Sequence, residues 1–231
     1  MVKERARGCD PPLSGPERPP ASGRAARALV VLLHGIGADG GDLIELAGPW
    51  SRLLPDAHFI APNGPEACDR APQGYQWFSL RDDAPEALLE GVSKAAPRVD
   101  GFLDAMLARL GLAEDRLVLV GFSQGTMTAL HLAPRRARPL AGVIGYSGAL
   151  VAPERLEGEV RSRPPVLLVH GDQDPVVPVE ALLAAAGGLG KAGVTVIWHV
   201  SPGVGHGIDG QGLELGGRFL ASVFEEPGRS L

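Results

Sequence analysis

Cysteine is nearly absent from this chain, with only Cys9 and Cys68 among 231 residues. Two thiols build no disulfide framework, and no cluster of His, Cys and Asp with metal-ligand spacing accompanies them. An excess of positive charge is also missing. Lys and Arg number 22 against 27 Asp and Glu, and the net charge of −5 gives no general attraction for nucleic acid. No apolar run approaches the length needed to span a bilayer, and the polar, proline-broken first residues hold no apolar signal segment. There are no internal repeats. What is left is a soluble protein, expected in the cytoplasm, with an ordinary 45% hydrophobic and 21% charged composition. At 24.0 kDa it is sized for one large domain with a substantial core. Residues 1–12 read as a disordered tail and 13–231 as that domain.

Short apolar runs alternate with helical patterns from there on. Residues 13–27, with Pro16, Pro19, Pro20 and Gly23, predict an extended surface lead-in. Strands are expected at 28–33, 57–61, 116–120, 140–146, 165–169 and 194–200. Helices are expected at 42–54, at 86–110 with a break at Pro97, at 126–133, 178–189 and 210–225. A long loop over 62–85 carries Tyr75, Trp77 and Phe78. This alternation predicts an α/β fold, a mostly parallel central sheet with helices on both faces.

The organising stretch is Gly121-Phe122-Ser123-Gln124-Gly125, between an apolar strand and a helix. G-x-S-x-G in that context is a nucleophile elbow, a turn so tight that the serine hydroxyl is pushed out of the fold. A Cβ at Gly121 or Gly125 would collide with the neighbouring strand or helix. The helix that follows aims its free N–H groups at the serine, where negative charge would develop.

A serine hydroxyl needs a base, and the base needs an orienting acid. In this fold both follow the serine, acid first, on loops after later strands. The loop after 165–169 holds Asp172 and Asp174, and the loop after 194–200 holds His206 between two glycines. Asp174 precedes Pro175, which forces an extended backbone and fixes where the carboxylate points. Asp172 follows Gly171 and fits a turn cap on its own backbone. Ser123, Asp174 and His206 are therefore the expected triad. His34 and His170 read as supports of loop backbone, His58 and His199 as structural, and His131 as pointing away from the elbow. The two oxyanion donors are expected to be the backbone N–H groups of Gln124 and of Ile36, which follows His34-Gly35 after the first central strand.

One pattern competes. Gly35-Ile36-Gly37-Ala38-Asp39-Gly40 matches G-x-G-x-x-G, the dinucleotide fingerprint. Its acidic partner is misplaced, since Asp56 precedes the next strand and Glu66 lies well past it.

Taken together, His34-Gly35-Ile36-Gly37-Ala38-Asp39-Gly40, Trp77-Phe78-Ser79, the elbow, Gly171-Asp172-Gln173-Asp174-Pro175-Val176-Val177-Pro178 and Gly205-His206 resemble the phospholipase/carboxylesterase family of α/β-hydrolases, which includes the acyl-protein thioesterases. Thr126-Met127 after the elbow resembles its bacterial carboxylesterase branch. The resemblance implies an α/β-hydrolase fold, esterase or thioesterase activity without a cofactor, and the same triad. Only 147–164 is available where many such hydrolases insert a helical lid, so no large lid is expected. The reading is a carboxylesterase for short- to medium-chain esters, with thioesterase or lysophospholipase action as neighbours and a non-catalytic or dinucleotide-binding α/β protein as the remote alternative. Trp77 and Phe78 either wall an acyl pocket or pack the loop down. Expected partners are a small-molecule or acyl ester, with no nucleic acid, no metal and no stable membrane insertion. A homodimer is left open.

Overall fold

The computed structural model describes residues 12–225. The tail expected at 1–12 therefore lies, but for Pro12, outside the described residues.

The apolar runs form the sheet because they can be buried on both faces. In β2 (Ala28–Leu33) and β6 (Leu117–Phe122), alternate side chains feed opposite sides. Leu29, Val31, Leu33, Leu117 and Leu119 enter one core, and Ala28, Val30, Leu32, Val118 and Val120 the other. The remaining strands are β1 (Glu17–Arg18), β3 (Ala57–Ile60), β7 (Gly142–Tyr146), β8 (Val166–Gly171) and β9 (Val196–Ser201), with a separate hairpin of β4 (Glu66–Ala67) and β5 (Tyr75–Gln76). The main sheet runs β1-β3-β2-β6-β7-β8-β9, parallel throughout except where β1 pairs antiparallel with β3. The extended lead-in is thus partly a strand, and it covers the β3 edge.

Helices α3 (Pro85–Leu110), α4 (Gln124–Leu132), α5 (Pro153–Glu159) and α6 (Glu180–Lys191) contribute to one core. Helices α1 (Gly40–Ile44), α2 (Ala47–Leu53) and α7 (Gly210–Phe224) contribute to the other. Both faces are covered, as the strand pattern requires.

Two helical expectations need correction, and one short helix was not expected. The helix expected at 42–54 is two. Asp39 starts the first one early by accepting from the amides of Gly41 and Asp42. Pro49 cannot donate to the Glu45 carbonyl, which the Gly48 amide takes instead at 3.0 Å, so the helix does not run on. The break expected at Pro97 is absent, and α3 is continuous over 26 residues. An interior proline costs about 3 kcal/mol. Val92, Val99, Leu103, Met106 and Leu107 on the same helix are buried, and burying each such side chain contributes about 1.5–3 kcal/mol, so packing wins. Finally, 147–164 contains α5, a helix begun by Pro153 that is too short for a lid.

On α4, His131 is 6% exposed and its Nδ1 has no hydrogen-bond partner. Burial first, and the Arg135 cation next, lower its pKa to about 4. The unfolded chain therefore takes up this proton before the folded one does. The stability held above about pH 6.5 should be lost as pH falls towards 4, by at most about 3 kcal/mol. Urea midpoints of the wild type and His131→Leu should diverge across that window, the wild type falling faster. Parallel curves would refute the assignment.

Candidate active site

Ser123 sits between β6 and α4 with φ 53° and ψ −114°, a conformation that side chains rarely adopt. The turn is as tight as the glycines suggested. A Cβ on Gly125 would lie 1.9 Å from the Leu33 carbonyl oxygen, and one on Gly121 would lie 2.4 Å from the Thr126 nitrogen. The Ser123 amide donates to the Tyr146 carbonyl at 2.9 Å, which pins the elbow to the end of β7.

Asp174 and His206 are brought together. Asp174 Oδ2 accepts from His206 Nδ1 at 2.7 Å, while Oδ1 accepts from the amides of Val176 and Val177 at 2.8 and 2.9 Å. Burial pushes this carboxyl pKa up, but the His206 bond and the two amides outweigh it and hold the group below its usual value. Since a carboxylate only accepts, Nδ1 carries the proton and Nε2 is left as the basic nitrogen. The His206 ring lies 5.0 Å, centroid to centroid, from Phe122, the neighbour of Ser123. Among the described residues no hydrogen bond joins Ser123 to His206.

Asp172 does not cap its own turn. Its Oδ1 accepts from the Gly203 amide at 2.6 Å, tying its loop to the one that bears His206. Ser147, unremarked in the sequence, reinforces the same loop through a bond from its hydroxyl to the Gly207 carbonyl at 3.2 Å. Its own φ of 46° is unusual, and only the close packing of the adjacent Gly148, whose Cβ would lie 2.7 Å from the Ser123 carbonyl oxygen, hints at the need for it.

The glycine-rich loop faces the elbow. A Cβ on Gly35 would lie 3.3 Å from Ser123 Cβ. Gly37 and Ala38 use their amides within the loops, whereas those of Ile36 and Gln124 have no acceptor among the described residues. His34 is buried and locked in one neutral tautomer, because Nδ1 donates to the Gly35 carbonyl and Nε2 accepts from the Gly64 amide. Burial lowers its pKa. His170 Nε2 donates to the Val177 carbonyl at 2.8 Å.

A surface hollow of about 340 Å³ touches Trp77 and Phe78 along with Glu66, Arg81, Lys94 and Arg98, but none of Ser123, Asp174 and His206 lines it. The two aromatics are themselves 1% and 4% exposed. The Trp77 indole donates to the His34 carbonyl, and Phe78 lies so close to α3 that a Cβ on Gly91 would be 2.6 Å from its ring. They pack the loop down. Among the described residues no group of three or more His, Cys, Asp or Glu could hold a metal ion, and no helix is long and apolar enough to cross a membrane.

The sequence pattern of the phospholipase/carboxylesterase family matches residues 20–224. The chain belongs to that family. The crystal structure of esterase PE8 is 47% identical and superposes with a TM-score of 0.88, over 92% of this chain and 99% of that one. Acyl-protein thioesterase 1 of Schizosaccharomyces pombe is 32% identical over 163 residues, 67% of this chain and 71% of the relative. Esterase YpfH of Escherichia coli is 26% identical over 83% of this chain and 81% of its own length. The fold is accordingly that of the α/β-hydrolases, and the chain is an ester-hydrolysing enzyme of the esterase/thioesterase type.

Proposed function

We propose that this enzyme is a serine carboxylesterase that cleaves short- to medium-chain carboxylic esters through an acyl-enzyme on Ser123. The observation that carries the reading is the 2.7 Å bond from His206 Nδ1 to buried Asp174, with the imidazole against Phe122 of the elbow. His206 Nε2 takes the Ser123 proton as Oγ attacks the ester carbonyl, and Asp174 holds the tautomer and stabilises the imidazolium. The amides of Ile36 and Gln124 receive the negative charge on the carbonyl oxygen. Collapse of the tetrahedral intermediate expels the alcohol, which leaves with the proton held by His206. Water, activated by the same nitrogen, then releases the carboxylic acid.

The short 147–164 connection supports an open site. Half-buried Ile36 and Phe122, with Val176 63% exposed beside Asp174, offer an acyl chain a short apolar wall. Thioester cleavage by the same groups is the second reading, favoured by the likeness to acyl-protein thioesterase 1. A series of p-nitrophenyl esters and matched thioesters tests both. The rate is expected to peak at short to medium acyl length, with oxyesters at least as fast as thioesters and no jump at the micellar threshold. A steep rise above that threshold would indicate a lipase instead, and a strong thioester preference would select the second reading.

A further inference from the structure

The loop of Tyr75, Gln76, Trp77 and Phe78 touches both sides of the elbow through hydrogen bonds that the catalytic steps do not use. On one side, the Gly37 amide donates to the Tyr75 carbonyl at 2.9 Å, the Tyr75 amide to the Ala38 carbonyl at 2.8 Å, and the Trp77 indole Nε1 to the His34 carbonyl at 2.8 Å. These flank Ile36 in the chain on both sides. On the other side, the Trp77 amide donates to Gln124 Oε1 at 2.9 Å, and Gln124 Nε2 donates to the Phe78 carbonyl at 2.7 Å. Gln124 is fully buried and spends its carboxamide on this loop alone, while its backbone N–H has no acceptor among the described residues.

Two amides from distant parts of the chain must be held at a fixed separation if both are to reach one oxyanion. Donors misplaced by an ångström lose much of their effect on the transition state. Ile36 belongs to a glycine-rich loop that has little stiffness of its own, whereas Gln124 opens a buried helix. Trp77 is bonded to both, by its indole to the carbonyl two residues before Ile36 and by its backbone to the Gln124 side chain. Its ring also lies 5.2 Å from that of His34.

We infer that Trp77 and the Gln124 side chain are positioning residues that set the spacing of the two oxyanion donors. The inference rests on the proposed roles of the Ile36 and Gln124 amides. It explains why a loop outside the reacting groups carries a buried tryptophan with its N–H committed to backbone, and why a carboxamide rather than an apolar group follows the serine.

The test is Trp77→Phe, which keeps an aromatic ring but removes the indole N–H, with Gln124→Met as a second variant emptying the other clamp. Removing an oxyanion donor outright costs about 10²–10³ in kcat, so a displaced one should lower kcat by about tenfold with KM held within about twofold. The inhibition constant of a trifluoromethyl ketone, which forms a tetrahedral adduct on the serine, should weaken by the same factor. A merely structural role would lower the melting temperature without this parallel. Unchanged kcat in both folded variants, or a loss confined to KM, would overturn the inference while leaving the esterase reading intact. Ser123→Ala turning over like the wild type would overturn that reading and the inference with it.

Discussion

Ser123→Ala should lose about six orders of magnitude in kcat towards a p-nitrophenyl ester, the scale at which a serine hydrolase fails when its nucleophile is removed. In the proposed mechanism the hydroxyl oxygen is the atom to be acylated, and an alanine at the same place would offer nothing for His206 to deprotonate. The fold should not notice, because Ser123 is held by the hydrogen bond from its backbone N–H to the Tyr146 carbonyl and by the packing of Gly121 and Gly125 rather than by its side chain. A fluorophosphonate probe should label the wild type and not the variant. The backbone at φ 53°, ψ −114° adds a second readout. Such a conformation costs a non-glycine residue about 1–3 kcal/mol, and glycine is free of that penalty while adding about 0.5–1 kcal/mol of chain entropy cost. Ser123→Gly should thus be as inactive as Ser123→Ala yet melt at the same or a higher temperature. Retained labelling or turnover in either variant would place the nucleophile elsewhere. A Ser123→Gly protein that melts well below Ser123→Ala would deny the strain.

The sheet was legible because its central strands are uninterrupted runs such as Leu117-Val118-Leu119-Val120, which only a doubly covered position can bury. Helix limits were less so, since they depend on energies that the local pattern does not contain. Pro97 reads as a break, but the apolar stripe along α3 overrides it. Pro49 within 42–54 signals a missing donor for the Glu45 carbonyl, but that the Gly48 amide takes this acceptor and splits the helix shows only when the chain is followed bond by bond.

Around the site, the legible residues were those whose chain neighbours impose the geometry. Gly121 and Gly125 frame Ser123 in this way, and Pro175 with the amides of Val176 and Val177 fixes the Asp174 carboxylate. Trp77 and Phe78 were legible only as aromatics on a loop. Which way they face follows from α3 and the His34 carbonyl, both far away in sequence. The bonds of the Gln124 side chain and of Ser147 join loops that meet only in the folded sheet, so no local signal could reveal them.

Asp174→Asn should cost about four orders of magnitude in kcat, as the equivalent change does in a serine protease with the same three groups. The amides of Val176 and Val177 still find an oxygen at Oδ1, so the loop keeps its shape. What changes is the group facing His206. An amide NH₂ there donates to Nδ1, which shifts the imidazole proton to Nε2 and leaves the Ser123 proton without a base. Stability should respond with a definite sign. The Asp174 carboxyl is held below its usual pKa when folded, so its charge stabilises the native state above the ordinary carboxyl range and ceases to as pH falls through the folded value. The melting temperatures of wild type and Asp174→Asn should therefore differ at pH 7 and converge in strong acid. Asp172 makes the contrast. Its bond to the Gly203 amide holds the His206 loop from the side, so Asp172→Ala should lower the melting temperature and slow kcat by no more than about tenfold, as loss of a single backbone-capping side chain costs about 1 kcal/mol. Asp172→Asn keeps an accepting oxygen and should stay near wild type. If the four-decade loss followed Asp172 instead, the acid would be misassigned within this loop, although ester hydrolysis by Ser123 would stand.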